Sequence, residues 1–312
     1  MSQTSRGYSI AIIGIAVWST TPIFIGYLIS HYGMPALLLS LWRNILVFAA
    51  LAPLLLIVKR PLLRIDKSQI RFFMFYGLTL ALFNSIWTVS VVANGAAVAT
   101  VLAYSSAGFT AIFAWWFFRE KLGLPKIVAV TLSLVGCVLV SNAYSPEMWN
   151  MNLLGILTGL FSGIFFACYN LLGKETAKRR MNPWTSVLYS FLFASLFTLI
   201  FNLFPTLPGA AGSLQAVLPD LPLDGWLILI FVSCVPTLLG FGLYNTSMNY
   251  LPASNVSLLA TLEPAMTTVL AYIFLNERMS AVQLVGAVVI LVAVLIMGLE
   301  KNEGSETLRQ IS

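Results

Sequence analysis

Residues 95 to 122 read GAAVATVLAYSSAGFTAIFAWWFFREKL, and residues 252 to 279 read PASNVSLLATLEPAMTTVLAYIFLNERM. At a constant offset of 157 residues, the two stretches carry the same residue type at several positions. The matched pairs are Ala96 and Ala253, Ala103 and Ala260, Ala114 and Ala271, Phe117 and Phe274, and Glu120 and Glu277. Each stretch is apolar over the length of a helix and ends in an acid followed by a base. An internal repeat in an apolar chain is typical of transporters, in which two related bundles move around one central site.

The composition of the chain predicts an integral membrane protein. Of its 312 residues, 59% are hydrophobic and only 9% are charged, whereas soluble domains carry about 25% charged residues. The first apolar segment, residues 8 to 30, is longer than the about 7 to 15 apolar residues of a signal peptide, so we expect it to remain as a spanning helix. The three cysteines lie in apolar segments without a CxxC spacing, which predicts neither a disulfide framework nor a zinc site. No cofactor and no metal are expected.

The apolar windows predict an all-α protein with ten transmembrane helices. A helix needs about 20 apolar residues to cross about 30 Å of hydrocarbon, and charges or clusters of Pro, Gly and Asn bound the windows. The windows, numbered span 1 to span 10, are residues 8–30, 34–58, 70–92, 95–118, 125–142, 152–173, 184–204, 225–249, 253–275 and 280–299. The connections are short except for residues 205–224, which form a loop rich in Pro and Gly.

The placement of the basic residues predicts the orientation of the chain. With the N-terminus inside, the cytoplasmic segments hold 15 of the 17 Lys and Arg residues. Only Arg278 then lies in an outer segment, and Arg43 lies within span 2. This distribution follows the positive-inside rule and puts both termini in the cytoplasm. The net charge of +6 is therefore explained by membrane topology, and nucleic-acid binding is not expected.

Five spans per half is an odd number, so the second half is predicted to be inverted relative to the first. The two five-helix repeats are residues 1–145 and 146–312, which together form one membrane domain. Glu120 then faces the cytoplasm, and its repeat partner Glu277 faces outside. The single outer base, Arg278, is thus explained as part of a repeated acid–base sequence.

These marks resemble the EamA-type branch of the drug/metabolite transporter superfamily. Two of the shared features are the sequences FREKL at residues 118–122 and LNERM at residues 275–279, each followed by a helix that contains a glycine, Gly136 or Gly286. The others are Trp18-Ser19, Arg43 and Glu263-Pro264. The resemblance covers nearly the whole chain and implies ten helices in two five-helix halves. It also implies a central cavity formed by helices 1, 3 and 4 with helices 6, 8 and 9, while helices 5 and 10 lie at the back.

Two ionisable residues are predicted to lie near the middle of the membrane. Arg43 is nine residues from the outer end of span 2, and Glu263 is ten residues into span 9. A charge at the centre of a helix costs about 2.5 to 3.5 kcal/mol on insertion scales, so such residues indicate a functional site. Glu263 is then a carboxylate that accepts a proton or contacts a cation, and Arg43 is a counter-charge or an anion ligand. The alternative is a structural pair, or bonds to exposed helix carbonyls. Pro264 favours the functional interpretation of Glu263, because its missing N–H leaves a carbonyl one turn earlier without its helical partner.

Polar and aromatic residues recur on one face of the related spans 3 and 8. Asn84, Trp87 and Thr88 share a helix face at spacings of three and four, and Phe241, Tyr244 and Asn245 occupy the corresponding positions. Such a face suits a cavity for a small amphipathic metabolite, although Asn and Thr also join neighbouring helices in membranes. With residues of spans 1, 4 and 6 added, the predicted substrate-binding residues are Trp18, Thr21, Asn84, Trp87, Tyr104, Tyr169, Tyr244 and Asn245.

Three further local features have a simple interpretation. Pro22 in span 1 predicts a kink, which is either a hinge or passive. The glycines at 155, 159 and 163 in span 6 predict close helix packing. By the offset of 157 residues, Ser106 takes the place of Glu263 in the first half, so the predicted site has its carboxylate on the second half alone.

The leading hypothesis is a secondary transporter that moves a small organic metabolite, an amino acid or a drug-like compound, by alternating access across the cytoplasmic membrane. The resemblance implies export, and Glu263 suggests proton coupling. No GxxxxGK[ST] motif is present, which excludes ATP as a direct energy source in this chain. One alternative is an uncoupled facilitator or channel.

A membrane-embedded enzyme is the weaker alternative, because the one histidine, His31, lies at the outer end of span 1 and no HExxH is present. The expected partners are a small-molecule substrate and the lipid bilayer. Neither the substrate nor the oligomeric state is indicated by the sequence.

Overall fold

The structure is a computed structural model that describes residues 2–94, 96–141, 143–145, 153–275 and 280–310. Within these ranges the regular structure is helical, and no strand occurs. The helices are α1 Gln3–Trp18, α2 Thr21–Tyr32, α3 Ala36–Val58, α4 Lys67–Asn94, α5 Ala96–Tyr104, α6 Ser106–Phe118, α7 Leu124–Val140, α8 Leu153–Lys178, α9 Pro183–Asn202, α10 Leu223–Val232, α11 Leu238–Ser247, α12 Ala253–Ala260, α13 Leu262–Leu275 and α14 Ala281–Gln310. Glu277 and Arg278, which were predicted to lie outside, fall beyond the described residues.

The helices confirm a multi-pass membrane protein. In the described part of the chain, seven helical segments are long and apolar enough to cross a bilayer: Gln3–Tyr32, Ala36–Val58, Lys67–Ser90, Ala99–Phe118, Gly155–Lys178, Pro183–Asn202 and Leu223–Ser247. Leu124–Val140 and Ala281–Ile296 are shorter apolar helices. These segments coincide with nine of the ten predicted spans, and α12 and α13 occupy the remaining window, residues 253–275. The count of ten membrane crossings stays a prediction.

Span 1 is broken into α1 and α2 at Ser19 and Thr20. Pro22 lies in the first turn of α2, where its missing N–H is tolerated but the hydrogen-bond ladder from α1 cannot continue. The hydroxyl of Thr267 in α13 donates to the Ser19 carbonyl at 2.9 Å and so satisfies one of the acceptors at the break. The predicted kink at Pro22 is confirmed.

Spans 4 and 9 are broken at matching positions of the repeat. α5 ends at Tyr104, and α12 ends at Ala260, one residue before Thr261, which aligns with Tyr104 at the offset of 157 residues. Both helices resume within two residues, as α6 and α13. The repeated sequence thus carries a repeated break in the backbone.

Span 8 consists of α10, one π-helical turn at Ser233–Thr237, and α11. Pro236 lies in this turn, and the hydroxyl of Thr237 donates to the Val232 carbonyl at 2.8 Å. A π turn inserts one residue into a helix, so it rotates the faces that follow. α11 therefore does not continue the helical face of α10.

Glycines set the closest helix contacts. α7 packs along α14, where a Cβ added to Gly136 would lie 2.6 Å from Ile290 Cγ1 and 2.9 Å from the Gly286 carbonyl oxygen. α8 packs on α4 and α5, and a Cβ added to Gly159 would lie 2.7 Å from Leu102 Cβ. The predicted packing role in span 6 is confirmed for Gly159 and Gly163, where an added Cβ would meet atoms of α5 or of Ser105.

Candidate functional site

A cavity of about 220 Å³ lies between helices from both halves of the chain. Its walls come from α1 to α5 on one side and from α8, α11 and α13 on the other. The lining residues are Trp18, Thr21, Pro22, Ile25, Gly26, Ile29, Ala36, Leu39, Ser40, Arg43, Phe83, Asn84, Trp87, Thr88, Thr100, Ala103, Tyr104, Phe166, Phe241 and Glu263.

The resemblance implied walls from spans 1, 3, 4, 6, 8 and 9, and each of these spans contributes a lining residue. The helix α3, which is span 2, contributes as well through Ser40 and Arg43. α7 and α14 pack on each other and supply no lining residue among those that the structure describes. The lining therefore includes one helix more than the resemblance implied.

The cavity extends towards the end of the protein that carries the loop of residues 205–224. Ile29 near the end of α2 and Ala36 at the start of α3 line it on this side. The same end is fixed to the loop, because the backbone N–H of Leu37 donates to the Gly209 carbonyl at 3.0 Å.

Aromatic rings line the apolar wall beside aliphatic side chains. Trp18 lies 4.7 Å from Phe241 between ring centroids, and Phe83 stacks on Phe166 at 4.7 Å. Trp87 and Tyr104 complete the aromatic lining. A concave, mainly apolar surface with a few polar groups is the usual form of a small-molecule site.

Arg43 brings a positive charge to the cavity, and its guanidinium group has few hydrogen-bond partners. One terminal nitrogen, Nη2, lies 3.4 Å from Oδ1 of Asn84, which is long for a hydrogen bond. The buried Nε of Arg43 has no hydrogen-bond partner in the described part of the chain. The guanidinium therefore retains capacity to bind an acceptor.

Glu263 lies in the first turn of α13 and is 9% exposed. Its carboxylate accepts a hydrogen bond from the hydroxyl of Tyr104. A carboxylate at a helix N-terminus is also favoured by the helix dipole. Pro264 follows directly and has no backbone N–H to complete a helical bond to Ala260, in agreement with the break at Thr261.

Arg43 and Glu263 line the same cavity but do not form an ion pair. Among the described residues, carboxylate and basic groups come within 4.0 Å only at Glu120 with Lys126 and at Glu175 with Arg179. The structural pairing of Arg43 with Glu263, one of the sequence alternatives, is thus absent from this conformation.

The cavity brings together seven of the ten predicted site residues, and the other three lie outside its lining. Tyr169, Tyr244 and Asn245 are buried in a polar network beneath it. The Asn245 amide donates to the Tyr169 hydroxyl at 3.0 Å, and the Tyr244 hydroxyl donates to Asn170 Oδ1 at 2.9 Å. In this structure these residues join helices, and their role as substrate ligands stays a prediction.

Tyr76 and Ser257 belong to the polar network and were not predicted as site residues from the sequence. The Tyr76 hydroxyl donates to Asn245 Oδ1 at 2.8 Å, and the Asn170 amide donates to Ser257 Oγ at 3.1 Å. The apolar windows give no signal for them, because a helix in a membrane is apolar on several faces at once.

A charged cluster at the end of α6 joins it to the start of α12. The Glu120 carboxylate accepts the backbone N–H of Ala253 at 2.9 Å and the hydroxyl of Ser254. Lys126 Nζ donates to Ser254 Oγ at 2.8 Å and lies 3.8 Å from Glu120 Oε2. Glu120 was identified as the acid of the repeated acid–base sequence, but no sequence pattern connected it with α12.

Comparisons with known proteins agree with this architecture. The chain is 24% identical over 287 residues to a "Probable amino-acid metabolite efflux pump" of Escherichia coli, covering 90% of this chain and 91% of that protein. It is 27% identical over 223 residues to an "Uncharacterized transporter" of Archaeoglobus fulgidus, covering 70% of this chain and 74% of that protein. A solved crystal structure shares the fold, with a TM-score of 0.74 at 18% identity over 94% of this chain and 97% of the other.

The sequence profile of one transporter family matches the chain twice. The matches cover residues 5–142 and 153–299, so the cavity lies between two copies of the same family unit. The resemblance drawn from the sequence is thereby confirmed. The chain belongs to the EamA-like transporter family.

Proposed function

We propose that this protein is a secondary transporter that moves a small organic metabolite, an amino acid or a drug-like compound, by alternating access across the cytoplasmic membrane. The observation that carries the proposal is the cavity between the two family units, because residues of both units line it. A cavity shared by two related units is the arrangement in which a movement of one unit against the other changes access.

Packing between equivalent spans supports an inverted repeat of ten spans. Inverted partners that touch must run antiparallel, and α3 and α9, which are spans 2 and 7, do so. Asn202 near the end of α9 bonds the Leu37 carbonyl near the start of α3 at 3.1 Å. Thr185 near the start of α9 bonds the Leu62 carbonyl just beyond the end of α3 at 2.8 Å.

Two further pairs of equivalent spans, 4 with 9 and 5 with 10, follow the same rule. Glu120 after the end of α6 bonds Ala253 at the start of α12, and Gln283 near the start of α14 bonds the Val140 carbonyl at the end of α7, at 2.9 and 3.2 Å respectively. With both termini in the cytoplasm, as the basic residues predict, the cavity extends towards the outer side and the Glu120 cluster lies on the inner side.

The state of the cavity favours a carrier over an open channel. The inner side is occupied by the Tyr104–Glu263 bond, by the network around Asn170 and by the Glu120 cluster. A channel needs a pore that is open to both sides at one time, whereas a carrier exposes its site to one side at a time.

Export is the proposed direction, in agreement with the efflux pump named among the relatives. The cavity of about 220 Å³ is smaller than the roughly 300 to 1,000 Å³ of drug-sized ligand pockets, which favours a substrate of amino-acid size. Glu263 is the proposed proton site, because it is a carboxylate that reaches the cavity from the second unit.

Counterflow in proteoliposomes tests the proposal. A thermal-shift screen of amino acids, nucleobases and quaternary amines first selects a compound that stabilises the native protein. That compound, loaded on the far side of the membrane, should accelerate flux of the labelled compound. Acceleration supports a carrier, whereas flux that does not respond to the far-side compound supports a channel.

Inverted vesicles test the proton coupling. The Glu263→Gln variant should lose uptake driven by a pH gradient while it keeps exchange of the same compound. Uptake that still follows the pH gradient in this variant would contradict the role of Glu263. Glu175→Gln is the matched control, because Glu175 is partly exposed and bonds Arg179 outside the cavity.

A further inference from the structure

A cleft of about 680 Å³ lies on the surface of the protein where the chain turns from α6 into α7. It is separate from the central cavity, since the two share no lining residue. Trp115 and Trp116 of α6 line the cleft, and Arg119 and Lys121 line it from the turn. The basic residues predict that this end of α6 faces the cytoplasm. The cleft therefore combines aromatic and basic side chains at one end of a membrane-spanning segment.

We propose that this cleft binds an anionic phospholipid, with the phosphate of the headgroup on Arg119 and Lys121 and the acyl chains along Trp115 and Trp116. The ligand is a component of the surrounding membrane and reaches the cleft from the bilayer. The site lies outside the central cavity and does not depend on the proposed transport function.

The two tryptophans support the position of the acyl chains. Trp115 is 54% exposed and Trp116 is 70% exposed at the protein surface. The end of a spanning helix lies where acyl chains meet headgroups, and tryptophan is enriched at this level of a membrane. Its ring is apolar while its N–H donates a hydrogen bond, so it fits a lipid whose chains and polar groups meet there.

The two basic residues support the position of the phosphate. Arg119 and Lys121 are exposed, and neither side chain has a hydrogen bond or an ion pair with another described residue. A guanidinium binds phosphate through two parallel N–H groups, and a lysine ammonium adds a second positive charge. Basic side chains beside a membrane attract anionic headgroups for the same electrostatic reason.

Glu120 also lines the cleft, but its negative charge is balanced within the protein. Its carboxylate accepts the backbone N–H of Ala253 at 2.9 Å, and its Oε2 lies 3.8 Å from Lys126 Nζ. Among the residues that the structure describes, no other acid lines the cleft. The charge that the cleft presents to a ligand is therefore positive.

Native mass spectrometry of the purified full-length protein tests the proposal. Phosphatidylglycerol and phosphatidylcholine with the same acyl chains are added separately, so the two ligands differ in net charge but share their apolar part. Phosphatidylglycerol should bind at least about fivefold more tightly, since each basic residue near a membrane surface contributes about this factor. Glycerol phosphate, which has the phosphate without the acyl chains, should not bind at the same concentration.

Four variants locate the lipid. Arg119→Gln and Lys121→Gln should each weaken binding of phosphatidylglycerol about fivefold and leave binding of phosphatidylcholine unchanged. Arg180→Gln and Lys178→Gln are the matched controls, which remove the same charges outside the cleft. Arg180 is exposed and has the same φ of 55° as Arg119, and Lys178 lies at the end of α8 with its Nζ 4.2 Å from the ring centroid of Phe118. Both control variants should keep the affinity of the wild type.

Equal binding of the two phospholipids by the wild type would overturn the inference. An unchanged affinity in both cleft variants, or an equal loss in the control variants, would also overturn it. Glycerol phosphate that binds as tightly as phosphatidylglycerol would assign the cleft to a soluble phosphate compound instead of a lipid. If a cleft variant fails to fold, the comparison of the two phospholipids on the wild type decides the proposal. Counterflow is measured separately, so a failure here leaves the proposed transport function intact.

Discussion

The hydroxyl of Tyr104 donates a hydrogen bond to the carboxylate of Glu263, and this bond connects the two family units at the wall of the cavity. The two residues are not repeat partners, since Tyr104 aligns with Thr261 and Glu263 aligns with Ser106. Each unit therefore contributes a different chemical group to one contact. The cavity is asymmetric in its chemistry although its framework is repeated.

Tyr104→Phe should lower both stability and transport. The substitution removes the donor to a buried carboxylate while the ring is kept, and a buried group left without its partner costs about 1 to 3 kcal/mol. The midpoint of thermal unfolding and the counterflow rate of the screened compound measure the two effects. Tyr144→Phe is the control, because Tyr144 is 48% exposed. Unchanged counterflow in Tyr104→Phe would show that the bond has no part in transport.

Ser106→Ala should leave the protein as stable as the wild type or slightly more stable. The Ser106 hydroxyl is buried and has no hydrogen-bond partner among the described residues, so its removal relieves an unsatisfied group. Ser133→Ala is the matched comparison, because the Ser133 hydroxyl bonds the Thr261 hydroxyl at 2.9 Å. It should lower the free energy of unfolding by about 1 kcal/mol. Thermal unfolding checks both, and a larger loss in Ser106→Ala than in Ser133→Ala would contradict the prediction.

Gly136→Ala should destabilise the contact between α7 and α14. The added methyl group would lie 2.9 Å from the Gly286 carbonyl oxygen, so the backbones must move apart. Overpacking of this kind costs about 1 to 3 kcal/mol. Gly108→Ala is the control, since its methyl group would meet only Val130 Cγ1 at 3.6 Å, an ordinary contact. Equal unfolding midpoints for the two variants would show that the helices separate without strain.

Glu120→Ala should loosen the start of α12. The carboxylate accepts the Ala253 N–H and the Ser254 hydroxyl, and charged hydrogen bonds contribute about 1.5 to 3 kcal/mol each. Hydrogen exchange at the N-terminal turn of α12 should therefore become about tenfold faster or more. Mass spectrometry of the peptide that contains Ala253 measures the rate. The control variant Glu175→Ala should leave this exchange rate unchanged. An unchanged rate in Glu120→Ala would show that the Glu120 carboxylate does not stabilise the start of α12.

The membrane class and the positions of the helices were predictable from the sequence, because both depend on the length of apolar windows and on the charges that bound them. The kink at Pro22 and the packing at Gly159 follow from local covalent properties of proline and glycine. Arg43 and Glu263 were identified because a charge within an apolar window has few explanations. Both residues line one cavity, and their position near the middle of the membrane stays a prediction.

The positions of Tyr244 and Asn245 could not be read from the repeat. Their partners by offset, Trp87 and Thr88, line the cavity, whereas Tyr244 and Asn245 lie beneath it. Phe241, which aligns with Asn84, does line the cavity, so the correspondence between the two spans ends within one turn of α11. Tyr244 and Asn245 are bonded to Asn170 and Tyr169 of α8, and no apolar pattern in span 8 reveals these partners.

The breaks near Ser105 and Thr261 give spans 4 and 9 a joint at the level of the cavity. Each span thus consists of two short helices. The helix on one side of the break can change its angle while the other keeps its contacts with neighbouring helices. In the proposed alternating access, opening one end of the protein then requires no tilt of a complete helix. We therefore expect the area that the protein occupies in the bilayer to change little during transport, so lateral pressure in the membrane should affect its turnover only weakly.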